Sequence, residues 1–281
     1  MTATQNLFDQ ASLAEAAYAN LEGITASSSP DALKLALQEG DGKFSVAQAA
    51  EFVLHWKVVS HIPNTSTGFS ATVFESLDHP GEFSLAIRGS LLSQGGIDFV
   101  ADAKTIATDG VAVSQLVDMY NYWQSLTHNG AYQAAQLNKQ VAASVFLDAV
   151  YRLNGGNLTA ELITYATGLN IPTSYDAARA YFVSQGYVVE GGNVYDVDTS
   201  QLSTSIFANN NPLYTGKGKL IGEAVSLSGH SLGGHLAMAF SRLFPSATND
   251  VTSINGLGFK IGDANVNNLL VANNTLYQRS A

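Results

Sequence analysis

There is no cysteine in the 281 residues, which excludes disulfides, thiolate metal sites and a cysteine nucleophile together. Charge is sparse. Asp, Glu, Lys and Arg make up 13% of the chain, well below the usual quarter, and no basic cluster offsets a net charge of −10. That balance argues against nucleic acid as a partner. No stretch approaches the ~18 consecutive apolar residues of a spanning helix, so no transmembrane segment is expected. The opening "MTATQNLFDQASLAEAAYANL" has neither a basic n-region nor an apolar h-region, so no Sec-type signal is expected. Internal repeats and low-complexity tracts are also missing.

What is present is a 46% hydrophobic composition on a neutral-polar background with 25 glycines, enough for a large core. Leu7, Ala11, Ala14, Tyr18 and Leu21 recur at helical spacing over 6–21, and a short helix is expected after Pro30. Ser45 with Gln48 reads as a capping box opening a helix through "VAQAAEFVL". "FSATVFESL" (69–77) and "FSLAIRG" (83–89) read as strands joined by the turn "DHPGE". Val113, Leu116, Met119, Tyr120 and Trp123 mark a helix over 111–126. Residues 127–220 read as a mainly helical insertion, with helical patches over 132–153 and 174–185 and a Gly/Asn-rich stretch behind them. Its role is open between a binding cap and a plain elaboration. Then come a strand (223–228), a helix (Leu232, Leu236, Phe240, Leu243) ending before Pro245, and a strand (251–259). Strands alternating with helices predict an α/β fold, with a mostly parallel sheet flanked by helices, in one domain over 1–281.

Gly229-His230-Ser231-Leu232-Gly233 fits G-x-S-x-G. The string alone is weak, but it falls at a predicted strand-to-helix junction. There a tight turn can lift a serine oxygen above a sheet while the helix N-terminus favours a developing oxyanion. A glycine-rich turn without chemistry is the other reading.

"VSLSGHSLGGHLA" resembles the nucleophile motif of class 3 (fungal-type) lipases, members of the α/β-hydrolase superfamily. "LAIRGSLLSQGGIDFVADAKT" is similar to their strand ending in Phe-Arg-Gly-Ser/Thr. The two segments stand in the right order and cover about 83–105 and 223–259. The surrounding text is similar to bacterial secreted lipases with C-terminal calcium-binding repeats. The resemblance implies an α/β-hydrolase-like fold and hydrolysis of lipid or other water-insoluble esters through an acyl-serine. Ser231 would be the nucleophile, with the Leu232 and Ser90 amides as oxyanion donors. Arg88 and Gly89 would support the loop, and His230 would flank the site. Asp98 and Asp102 fall near the family's acidic positions and are read as structural, with calcium or a lid as a lesser option. No cofactor is required for the chemistry. Calcium and secretion enter by analogy alone; without the analogy the chain would be cytoplasmic.

The base and acid are the weak points. In this fold the order is Ser, Asp, His, and the only histidine after Ser231 is His235, one helical turn along the same helix. The only aspartate after residue 259 is Asp263. His55, His61, His79 and His128 precede the nucleophile and violate the order; His61 and His79 are expected in loops. The expectation is therefore a C-terminally incomplete lipase-like chain. The alternatives are a non-catalytic hydrolase-fold module of a larger secreted toxin or adhesin and, below that, a serine peptidase.

Overall fold

The computed structural model describes residues 3–39, 41–42, 44–90, 106, 109–153, 157–207, 214–259, 265, 266 and 268. The expectations placed on Asp98, Asp102 and Asp263 lie outside these residues.

Helix α1 (Ala3–Ala16) buries Leu13, Ala14 and Ala16. Helix α2 (Pro30–Gln38) starts with Pro30, whose missing N–H costs nothing there, and the Ser29 hydroxyl accepts the Ala32 N–H at 3.3 Å. Helix α3 (Val46–His55) opens on the expected capping box. The Gln48 N–H donates to Ser45 Oγ (3.2 Å), and the Ser45 N–H donates to Gln48 Oε1 (3.0 Å). The chain passes straight from α3 into β1 (Trp56–Ile62), a strand the sequence did not announce. Strands β2 (Ala71–Ser76) and β3 (Phe83–Ile87) follow as expected.

Helix α4 (Val113–Thr127) leads into the segment expected to be mainly helical. Helices α5 (Val141–Leu153), α6 (Ala160–Leu169) and α7 (Tyr175–Ser184) are there, preceded by the short β4 (Asn129–Gly130) and by β5 (Gln136–Lys139). The helix read from 132 therefore starts only at Val141, because Gln136–Lys139 pairs as a strand. Strands β6 (Val188–Glu190) and β7 (Asn193–Asp198), the single turn α8 (Ser203–Ile206) and β8 (Gly216–Lys217) complete it. The insertion thus carries its own antiparallel sheet, β5-β7-β6, and its own apolar cluster around Phe146, Leu147, Phe182 and Val194. Strand β9 (Val225–His230), helix α9 (Leu232–Leu243), a 3-10 turn (Pro245–Ala247) and β10 (Thr248–Ile254) end the described order.

The main sheet runs β1-β2-β3-β9-β10. Its first three strands pair antiparallel, whereas β3, β9 and β10 pair in parallel, so the sheet is mixed. Alternation along the strands sorts side chains into two layers. Val73, Leu85, Ile87 and Leu227 face the layer containing α4 and α9; Val58, Phe74 and Ala86 face α1, α2 and α3. The fold is therefore α/β, a central sheet covered by helices on both faces. On the outer edge, the β1 register slips between Val58 and Ser60, and Lys219 Nζ donates to the Val59 carbonyl at 2.5 Å. Among the described residues no helix is long and apolar enough to cross a membrane.

The insertion is anchored by buried polar contacts. Ala112 gives α4 no side-chain cap. Glu190 does so from β6, its carboxylate accepting the Ser114 N–H (3.2 Å) and the Ser114 hydroxyl. Asp109, 1% exposed, pairs with Arg179 on α7 (3.3 Å) and accepts the Gly191 N–H (2.7 Å) and the Tyr175 hydroxyl (3.1 Å). Burial raises the carboxyl pKa values of both Asp109 and Glu190 above the ordinary range.

Candidate active site

Ser231 sits at the corner between β9 and α9 with φ 55° and ψ −121°, a backbone region that glycine fills readily and other residues rarely do. The surrounding contacts hold the corner closed. The Ser231 N–H donates across to the Ile254 carbonyl of β10 (2.8 Å), and its own carbonyl accepts the His235 N–H (3.1 Å) as the first bond of the helix. The two flanking glycines are required by space. A Cβ at Gly229 would run into the Gly233 carbonyl, and a Cβ at Gly233 would run into the Ile87 carbonyl at the end of β3. Helix α9 can therefore begin directly against the sheet, and its first amide, Leu232, has no acceptor within the helix.

The "IRGS" segment lies alongside. Ile87 pairs with Gly229 in the parallel ladder, so the chain leaving β3 passes beside His230 and Ser231. A side chain at Gly89 would strike the His230 carbonyl and the Tyr18 hydroxyl. Ser90 follows, half-buried. Arg88 turns away from this seam. Its guanidinium donates to Asn64 Oδ1 (2.5 Å) and the Gly68 carbonyl (3.4 Å), and its N–H donates to the Ser70 carbonyl (3.0 Å). It ties the 63–70 loop to the end of β3.

All six histidines are among the described residues. β1, β3, β9 and β10 run the same way, so Ser231 stands at the edge where these strands end. His55 and the turn residue His79 lie at the opposite edge. His128 ends α4 with Nδ1 3.1 Å from the Gln124 carbonyl and its ring 6.0 Å from that of Tyr132. His61 does lie near the right edge, but in β1 and not in a loop as expected. Two strands lie between it and β9, so three steps of about 4.8 Å set it roughly 14 Å from Ser231. It is largely buried, bonds Thr72 Oγ1 (2.8 Å), and has a pKa pushed down to about 4, first by burial and then by Arg88 and Lys217. His235 is fully buried, with Nδ1 2.9 Å from the Leu257 carbonyl and its ring against Phe259; burial lowers its pKa. Among the described residues no side chain hydrogen-bonds the Ser231 hydroxyl.

One residue of the seam escaped the sequence reading. Tyr18 lies just beyond α1, its hydroxyl 3.3 Å from His230 Nδ1 and against Gly89. Burial keeps this phenol protonated well above neutrality, opposed by a hydrogen bond from the Gly89 backbone. Tyr18 can thus donate to His230 while packing against Gly89. With Tyr18 and His230 separated by 212 positions, its place on a predicted helical face was the only signal. Among the described residues no group of three or more His, Asp or Glu is gathered to hold a metal. No protein-family model, curated protein or solved structure matches the chain.

Proposed function

We propose that this chain carries the nucleophile half of a serine ester hydrolase on an α/β-hydrolase-like fold. The observation that carries the reading is the Ser231 corner: a non-glycine residue in a strained conformation, at the end of a parallel strand and the head of a helix, one strand from the Arg-Gly-Ser segment. Strain of this kind is retained where the surroundings impose it, and here the residue held in it is a serine at the head of a helix. In the reaction, Ser231 Oγ bonds to the ester carbonyl carbon and gives its proton to a base, with the Leu232 and Ser90 amides receiving the oxyanion. The C–O bond to the alcohol then breaks, the alcohol leaves protonated, and water releases the acid from the acyl-serine. The similarity of 83–105 and 223–259 to class 3 lipases supports lipid or other water-insoluble esters as substrates, and secretion and calcium belong to the same proposal.

Among the described residues no histidine hydrogen-bonds the Ser231 hydroxyl, which supports reading the machinery as partial. Purified chain should hydrolyse p-nitrophenyl butyrate only ~10³–10⁴-fold above the uncatalysed rate. That residual rate comes from the oxyanion donors and binding and should survive Ser231→Ala, whereas added imidazole should raise the rate in the wild type alone. Turnover at the level of a complete triad would refute the missing base. No imidazole response, or one indifferent to Ser231→Ala, would favour the second reading, a hydrolase-fold binding module, which the lack of a histidine on the Ser231 hydroxyl also supports.

A further inference from the structure

A second concavity lies between α1 and α3, on the helical layer away from α9. It encloses about 460 Å³, the size of a small-molecule site. Its apolar wall is aromatic: Phe44 and Phe52 meet edge to face at 5.6 Å, Trp56 stands beside them, and Phe8 projects at the mouth, 59% exposed. Three carboxylates share the lining, Asp9, Glu15 and Glu51. Glu51 is engaged by His55 (3.2 Å), and Asp9 accepts the Gln5 side-chain amide (2.8 Å). Glu15 makes no ion pair among the described residues, although burial on one side raises its carboxyl pKa. An exposed phenylalanine on an aromatic wall, beside an exposed carboxylate that makes no ion pair among the described residues, is poorly arranged for water alone.

We infer that this cavity binds a small organic cation with a short apolar tail, its ammonium group against Glu15 and its tail on Phe8, Phe52 and Trp56. The charge of the lining selects the sign of the ligand, the aromatic wall receives its apolar tail, and the volume limits it to a small molecule rather than a helix. The inference does not depend on the esterase reading. It does give α1 a second office, because Glu15 stands one turn before Tyr18 and its field reaches His230.

Isothermal titration with n-hexyltrimethylammonium, 1-hexanol and hexanoate tests it on the full chain. The cation should bind saturably at one site, the alcohol far more weakly and hexanoate not at all. Glu15→Gln should weaken the cation about tenfold, and Phe8→Ala should weaken it as well. Both residues are exposed, and circular dichroism checks that each variant is folded. Equal binding of the alcohol and the cation would overturn the proposal, as would an affinity unchanged in folded Glu15→Gln. No binding of the cation where a basic amphipathic peptide does bind would also overturn it, making the groove a protein-docking surface.

Discussion

Replacing Ser231 by glycine should make the protein more stable while removing its proposed nucleophile. At φ 55° and ψ −121° a side chain bearing Cβ is held in a sparsely populated region, at a cost of about 1–3 kcal/mol. Glycine takes that conformation freely but gives up about 0.5–1 kcal/mol through its larger unfolded-state entropy. The net gain is about 1 kcal/mol within a range of about 0–2.5, or about 2 °C in Tm for a chain of this size. Ser231→Ala is the control. It loses the same hydroxyl but keeps Cβ, so its stability should stay within about 0.5 kcal/mol of wild type. Urea unfolding and calorimetry of the three proteins give the answer. If glycine and alanine are indistinguishable, or glycine is the less stable, the corner is not strained and the argument from backbone geometry fails.

Stability should also depend on pH through His61, whose pKa is about 4 in the fold against an ordinary 6.5. Below pH 6.5 the unfolded chain takes up the proton first, so this contribution is intact above 6.5. Up to about 3 kcal/mol of it disappears by pH 4. His61→Gln, which keeps a partner for Thr72, should flatten that part of a urea-unfolding pH series; an unchanged slope would contradict the assignment. Arg179→Met leaves Asp109 buried with, among the described residues, Gly191 and Tyr175 as donors to its carboxylate, and should cost about 3–5 kcal/mol in urea unfolding. Adding Asp109→Asn should restore part of that loss; a double variant no better than the single would show that the charge was not the cause.

The features readable in the sequence are those written within a few residues. The capping box at Ser45, the periodic helices α4 and α9, and the strand-glycine-serine-glycine-helix corner each depend on local chemistry, and each forms. β1 was missed because Trp56 follows His55 with no glycine or proline between helix and strand. The last strand was drawn too long, since Asn255 adopts φ 49° and ends it after Ile254. β5 and β7 are short, polar strands that bury little, so alternation could not mark them. The long-range contacts were beyond reach altogether: Glu190 capping α4, Arg179 on Asp109, and Tyr18 on His230 join residues about 70 to 210 positions apart. The same reason explains His61, whose burial comes from neighbours that only the folded sheet supplies.

The irregular outer margin of β1 bears on how copies of this protein behave at high concentration. A straight, open margin would invite a neighbouring molecule to lay down another strand, but here the ladder is kinked and one carbonyl is already taken by the Lys219 ammonium. Both features disfavour self-association by strand addition on that flank.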